Sequence, residues 1–371
     1  MPTVLISGSG IAGATLAYWL NRHGFKTTIV ERAPEPRLGG QAVDIRGAAL
    51  DVVERMGVLA EIKAAKTGMR GMTVVDRDGN ELMSTTEETL TGGLIDSPDV
   101  EIMRDDLVSI LNRLTDDTKY LFDDTITALE QDPEGVLVTF ENAPPRRYDL
   151  VIGADGLHSR VRKLVFGDEA KFRSHLGVYL AIFSMDNHLG IEDWQTMLHG
   201  DNLMAMVYNA RGGTVTRGML GFESDVLDFD HRDLDAQKRI VEERVGDAGW
   251  ETPQIVKAMW AAPDFYFDAM SQIKMDRWSK GRVGLVGDAG YCPAPLSGQG
   301  TSAALVGAYV LAGELAKADP TTAFDAYERE LRTYVEQNQA LATANPGGPP
   351  APEAVAAAAS GITLKDYGTR R

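Results

Sequence analysis

The chain has 371 residues, 44% hydrophobic and 25% charged, a globular balance that excludes a disordered or fibrous protein. A net charge of −17 repels phosphate backbones and anionic bilayers, so neither nucleic acid nor a membrane is an expected partner. A single cysteine, Cys292, excludes an intramolecular disulfide and any cysteine-rich metal site.

Residues 3–7 (TVLIS) form an apolar, β-branched run of the kind that becomes a buried parallel strand. The turn Gly8-Ser9-Gly10-Ile11-Ala12-Gly13 follows. A helical stripe over 14–23 then carries Leu16, Trp19 and Leu20 and stops at Gly24. Residues 26–30 (KTTIV) predict a second strand ending at Glu31-Arg32, which completes a βαβ unit. Helices are expected at 48–59 and 102–114. Hairpins are expected where 72–75 and 81–83 flank Asp78-Gly79, and where 126–130 and 136–140 flank a turn at 132–135. Residues 149–153 (DLVIG) read as a strand feeding Ala154-Asp155-Gly156, with a short helix over 157–165.

From Leu176 the texture changes. Runs at 178–185, 196–199, 203–208 and 214–222, separated by turn residues, predict an antiparallel sheet. A helix near 234–245 and a strand near 265–273 follow. Residues 282–286 (RVGLV) return to parallel-strand texture and run into Gly287-Asp288, with helices at 301–315 and 322–339. The stretch PGGPPAP at 346–352 breaks the chain before an Ala-rich helical turn at 353–359. The expected class is α/β. A discontinuous Rossmann-like nucleotide-binding domain covers 1–171 and 279–345, an inserted antiparallel-sheet domain covers 172–278, and a C-terminal helix or tail covers 346–371. No cleavable leader and no apolar run of about 18 residues is visible, so a cytoplasmic protein is expected.

Three motifs carry chemistry. In the first, Gly8 permits a tight turn, Gly10 lets a pyrophosphate reach the backbone, and Gly13 allows close helix–strand packing. The helix N-terminus faces the anion. Glu31 stands 18 residues beyond the last glycine, where a carboxylate accepts ribose hydroxyls. The second motif is DLVIGADGLHSRVR, residues 149–162. In the third, Gly287-Asp288 leads into a glycine-rich loop, Gly298-Gln299-Gly300-Thr301-Ser302, at another helix start. Two such helix starts require a ligand long enough to reach both, which FAD is. A purely NAD-dependent dehydrogenase would leave the two later motifs unexplained.

The ordered set GSGIAG…ER, MRDDL, DLVIGADGLHSRVR and GDAGYCPAPLSGQG resembles the single-component flavoprotein aromatic monooxygenases of the para-hydroxybenzoate hydroxylase type. The stretches GGQAVDIRGAALDVVERMGVL and NLMAMVYNARGG look most like their tetracycline-inactivating branch. The resemblance implies that Gly8, Gly10, Ile11, Ala12 and Gly13 hold the FAD pyrophosphate, Glu31 the ribose, and that Arg32 flanks the adenine. It implies further cofactor contacts from Arg104, from Asp44 with Arg46, from Asp155-Gly156, from Asp288, and from Pro295, Gly298, Gln299, Gly300, Thr301 and Ser302. Arg37 would face NADPH. NADPH or NADH reduces the flavin in this family, O2 adds to it, and one oxygen passes to an electron-rich carbon of the substrate. No catalytic triad is therefore expected, and no metal: the six histidines form no metal-binding pair.

This sequence departs from the family where Gly290-Tyr291 replace Ala-His, Ser302 replaces Asn, and Gly307 replaces an acid. The expected substrate pocket lies between the flavin and the inserted sheet. Its candidate lining is Tyr179, Phe183, Met204, Met206, Tyr208, Met219 and Phe222, with Pro295. That composition suits a flat aromatic or polyketide-type polycycle. Baeyer–Villiger insertion, desaturation, or ligand holding without turnover would use the same fold. Oligomeric state is not legible.

Overall fold

The computed structural model describes residues 1–35, 40–89, 93–345 and 350–368. Its centre is a six-stranded sheet ordered Ser279–Lys280, Val283–Leu285, Leu150–Gly153, Thr3–Ser7, Lys26–Val30 and Lys119–Leu121. Its strands pair in parallel except for the edge strand Ser279–Lys280. Val4, Leu5, Ile6, Val151 and Ile152 have no exposed surface, as strands covered on both faces require.

Helix Ile11–Arg22 covers one face and packs on helix Gly300–Leu315, which is buried from Thr301 to Leu315 and is backed by Pro320–Leu341. Small residues such as Ala303, Ala304 and Ala308 allow this close helix packing. Helix Pro352–Ala359 follows. Residues 360–368 then run over the helices as a strap. Tyr367 lies where a Cβ on Gly313 would be 2.2 Å from its ring, and Lys365 Nζ bridges Glu314 and Glu330 at 3.0 and 2.8 Å.

The second layer is a seven-stranded sheet ordered Phe265–Ile273, Arg173–Ser184, Val215–Glu223, Leu203–Ala210, Trp194–Gly200, Met72–Val75 and Glu81–Thr85. The hairpin 72–85 joins it from within the segment assigned by sequence to the nucleotide-binding layer. One face packs on helices Leu234–Val245 and Thr252–Ala261, while the other turns to the parallel layer. A three-stranded sheet of Ile126–Asp132, Gly135–Phe140 and Arg146–Tyr148 packs instead into the core of the parallel layer.

Four local expectations need correction. The helix expected from 102 begins at Arg104, because Val100–Met103 is a strand paired with Ala42–Ile45. Asp105 and Asp106 favour the helix N-terminus there. The helix expected over 48–59 ends at Arg55; Gly57, at φ +79°, turns the chain into Leu59–Ala64. The helix expected from 157 starts at Arg160, where Ser159 accepts the Arg162 N–H as cap. Thr252–Ala261 is a helix opened by Pro253 and absent from the sequence reading.

Candidate active site

The glycine turn lies at the C-terminal end of the central strand, where an open parallel sheet offers its crevice. A Cβ on Gly8 would meet the Ala154 carbonyl oxygen at 2.5 Å, and one on Gly13 would meet the Gly8 oxygen at 2.0 Å. These contacts make both glycines structurally obligatory. Gly10 faces open space, with Arg104 Nη2 nearest at 4.0 Å. Glu31 lies at the tip of the second strand. Its Oε2 accepts the Ser9 amide and hydroxyl, both at 3.0 Å, and its Oε1 accepts the Ala33 N–H at 2.9 Å.

Opposite the turn, Asp288 opens the short helix after Val283–Leu285. Burial pushes its carboxyl above the ordinary range, while the Cys292 thiol and the Arg104 charge pull it down. Arg104 runs from Gly40, whose Cβ would lie 3.3 Å from its Cδ, toward Gly10. The 3-10 turn Pro295–Ser297 and left-handed Gly298 lead to the N-terminus of Gly300–Leu315. Two helix starts thus line one cleft, the arrangement that a long anionic dinucleotide needs.

Asp155 also lines this cleft, but its carboxyl is engaged in its own chain. It accepts from Ser159 Oγ at 2.5 Å, Arg160 N at 2.8 Å and Val161 N at 3.1 Å. Burial raises its pKa against those bonds. Gly156, at φ +80° with nothing near its Cβ position, leaves room for a ligand. Arg37 lies outside the described residues.

The cleft is continuous with the inserted sheet and encloses about 2040 Å³, room for a cofactor and a second ligand together. Strand alternation decides what faces it. Leu180, Ile182, Met197, Met204, Met206, Met219 and Met270 form an apolar wall, and Gln195 and Tyr208 add polar atoms. The Tyr208 hydroxyl accepts the Ala42 N–H at 3.1 Å and so ties the wall to the cofactor side.

A family profile described as an FAD binding domain matches residues 1–345. A flavin-dependent monooxygenase of Legionella longbeachae is 40% identical over 91% of this chain and 86% of its own. The chain belongs to the FAD-dependent monooxygenases. An uncharacterized protein of Mycobacterium tuberculosis (strain ATCC 25618 / H37Rv) is 54% identical over 99% of this chain and 100% of its own. Among solved structures, tetracycline destructase Tet(51) superposes with a TM-score of 0.89 at 34% identity, covering 99% of this chain and 100% of that one.

In this monooxygenase several sequence-nominated residues stand behind the cleft wall. Tyr179 and Phe183 belong to the other parity of their strand and pack under the helices; the Tyr179 ring stacks on Phe222 at 5.7 Å, and its hydroxyl accepts the Leu227 N–H. Phe222 shares that stack and also lines the cleft. Arg46, 1% exposed, pairs with Asp44 at 3.0 Å instead of lining the cavity. Ser302 Oγ accepts the Arg46 N–H at 3.0 Å, tying the third motif to the Asp44 strand, and Gln299 is fully buried beside it in the chain.

The family departures are coupled. A Cβ on Gly307 would lie 1.9 Å from the Tyr291 hydroxyl, so the missing side chain is the space that Tyr291 fills. That hydroxyl lies 2.9 Å from Tyr327 Oη, which donates to the Leu285 carbonyl at 3.0 Å. Cys292 is a buried thiol 3.5 Å from the Ser271 carbonyl, and burial pushes its pKa well up.

The sequence reading missed the polar outer end of the cleft. His158, two residues after Gly156, holds Asp268 of the inserted sheet at 2.8 Å and Glu169 at 2.9 Å. The bonds to Asp268 and Glu169, against burial, raise it to about 9. Burial, the largest single effect, pushes Asp268 up, but the His158 bond and charge, the Ala269 N–H and the His231 charge together hold it below its ordinary value. Only the DGLH spacing in the second motif could have pointed there.

Proposed function

We propose that the protein is an NAD(P)H-consuming monooxygenase that inserts one oxygen into a polycyclic aromatic or polyketide-type substrate, with a tetracycline as the first compound to test. The observation carrying this reading is the methionine-rich wall on the cofactor cleft: broad, apolar and adaptable, it suits a flat fused-ring ligand. The likeness to Tet(51) over nearly the whole chain supports the same class.

FAD, when bound, supplies the reducing and oxygen-activating chemistry. The residues do the rest. The Gly8–Ala12 amides and the N-terminus of the first helix would hold the pyrophosphate, and Glu31, with Arg32 beside it, would take ribose hydroxyls. Asp288 would take ribityl hydroxyls, and Arg104, Asp44 and the Pro295–Thr301 turn, which line the same cleft, would hold the rest of the cofactor. Gln195 and Tyr208 orient substrate, and the methionines exclude water from the reacting face.

The test is NADPH and NADH consumption by FAD-loaded protein with and without a tetracycline, followed by product mass. Substrate-dependent consumption with a mass gain of one oxygen supports the reading. A product two hydrogens lighter would replace oxygen insertion by desaturation, and NMR of the product separates hydroxylation from ring expansion, both of which add one oxygen.

A further inference from the structure

The ladder between Ala42–Ile45 and Val100–Met103 places Asp44 directly opposite Glu101, and both side chains line the cleft. Like charges opposed across one face of a sheet repel. Arg46, on the same face of its strand, gives its guanidinium to Asp44 and also faces Asp99. One guanidinium thus stands among three carboxyls. Glu101 takes its hydrogen bond from the buried Thr67 hydroxyl at 2.6 Å. As a donor, this hydroxyl favours the ionised carboxylate and works against the repulsion from Asp44. From the inserted sheet, Tyr208 is the titratable group facing Glu101; Lys66, bridged through its backbone to Ile102, keeps its side chain in solvent.

We propose that Glu101 is the proton-exchanging residue of the flavin cleft, taking up and releasing a proton beside Asp44 as the charge next to that pair changes. Glu101–COOH becomes Glu101–COO⁻, and the proton passes to water or to a basic atom of the ligand; no electrons move. Burial and the Asp44 charge push this carboxyl up to about 7, against the Thr67 bond and Arg46, so both forms are populated at neutral pH. A group poised there adjusts at small energetic cost to a ligand whose charge changes during turnover. The assignment rests on the flavin reading for what fills the cleft.

The test begins without cofactor. An infrared pH titration of the FAD-free full chain follows the protonated-carboxyl band in wild type, Glu101→Gln, Asp44→Asn and Thr67→Val. The expected results are a band titrating near neutrality, its loss in Glu101→Gln, and a midpoint lower by about one to two pH units in Asp44→Asn, where the repelling charge is gone. A wild-type band surviving in Glu101→Gln, or an unmoved midpoint in Asp44→Asn, overturns the proposal. Should Glu101→Gln fail to fold, Thr67→Val decides: removing the hydroxyl must raise the midpoint, and an unchanged value overturns the assignment. Calorimetry of FAD binding in buffers of different ionisation enthalpy then counts protons. Wild type exchanges a fraction of a proton at pH 7 and Glu101→Gln does not; equal counts overturn the exchange role. If wild type binds no FAD while the infrared titration holds, the cofactor reading fails and the protonation of Glu101 stands.

Discussion

Replacing Gly307 with alanine tests the coupling of the two family departures. The new methyl would sit 1.9 Å from the Tyr291 hydroxyl, and that ring cannot swing aside: it is 1% exposed and wedged against Trp278 at 4.6 Å. Moving it strains a packed core by about 1–3 kcal/mol and weakens the hydroxyl pair with Tyr327 by about 1 kcal/mol. Alanine returns about 1 kcal/mol of helix propensity. The expected net loss is about 2 kcal/mol, read as a lower urea midpoint and a melting temperature down by several degrees. Tyr291→Phe removes the offending oxygen, after which the nearest ring atom is 3.1 Å from the methyl. The double variant Tyr291→Phe/Gly307→Ala should therefore recover at least about 1 kcal/mol relative to the sum of the singles. A Gly307→Ala protein as stable as wild type, or strict additivity in the cycle, would refute the coupling.

Gly13→Ala drives its Cβ against the Gly8 carbonyl, and the purified variant should lose bound flavin, measured by absorbance, and unfold at lower urea. Strand parity makes another prediction: Met206→Ala should change KM or substrate preference in steady-state assays, whereas Tyr179→Phe should cost about 1 kcal/mol of stability and leave KM alone. His158 is charged in the fold up to about 9 against an ordinary 6.5, so its contribution is fully present below pH 6.5 and fades as the pH rises through 9. Its ring is 40% exposed, so solvent screening reduces that contribution to about 1 kcal/mol. Urea titrations from pH 6 to 10 should show the slope in wild type and a flatter one in His158→Ala.

The sequence made the cofactor half legible because its constraints are local. A glycine turn, an acid at a strand tip and a helix start are each written within a few neighbouring residues, and Thr3–Ser7, Lys26–Val30 and Phe265–Ile273 fall where the pattern places them. The substrate face was half legible. Met204, Met206, Tyr208 and Met219 follow one parity, but the sheet is apolar on both faces, so alternation gave no sign that Tyr179 and Phe183 belong to the other. Short strands such as Ala42–Ile45 are defined by distant partners and carry no period of their own. Asp44 therefore stood out as a motif residue, while Glu101, its cross-strand partner, did not.

The order of strands in the parallel sheet also sets a timetable. Thr3–Ser7 leaves the ribosome first, yet its neighbour Leu150–Gly153 and the next strand, Val283–Leu285, arrive far later. At about 5–20 residues per second, the delay between first and last is on the order of tens of seconds. Until Leu150–Gly153 emerges, the apolar first strand has no partner on one side. The inserted sheet, whose strands lie mostly between Arg173 and Ile273, can close before the nucleotide layer does. A nascent chain shorter than about 300 residues lacks Asp288 and the Pro295–Gly300 turn. Cofactor capture is therefore a late event in synthesis, and truncated products should emerge colourless and prone to aggregate.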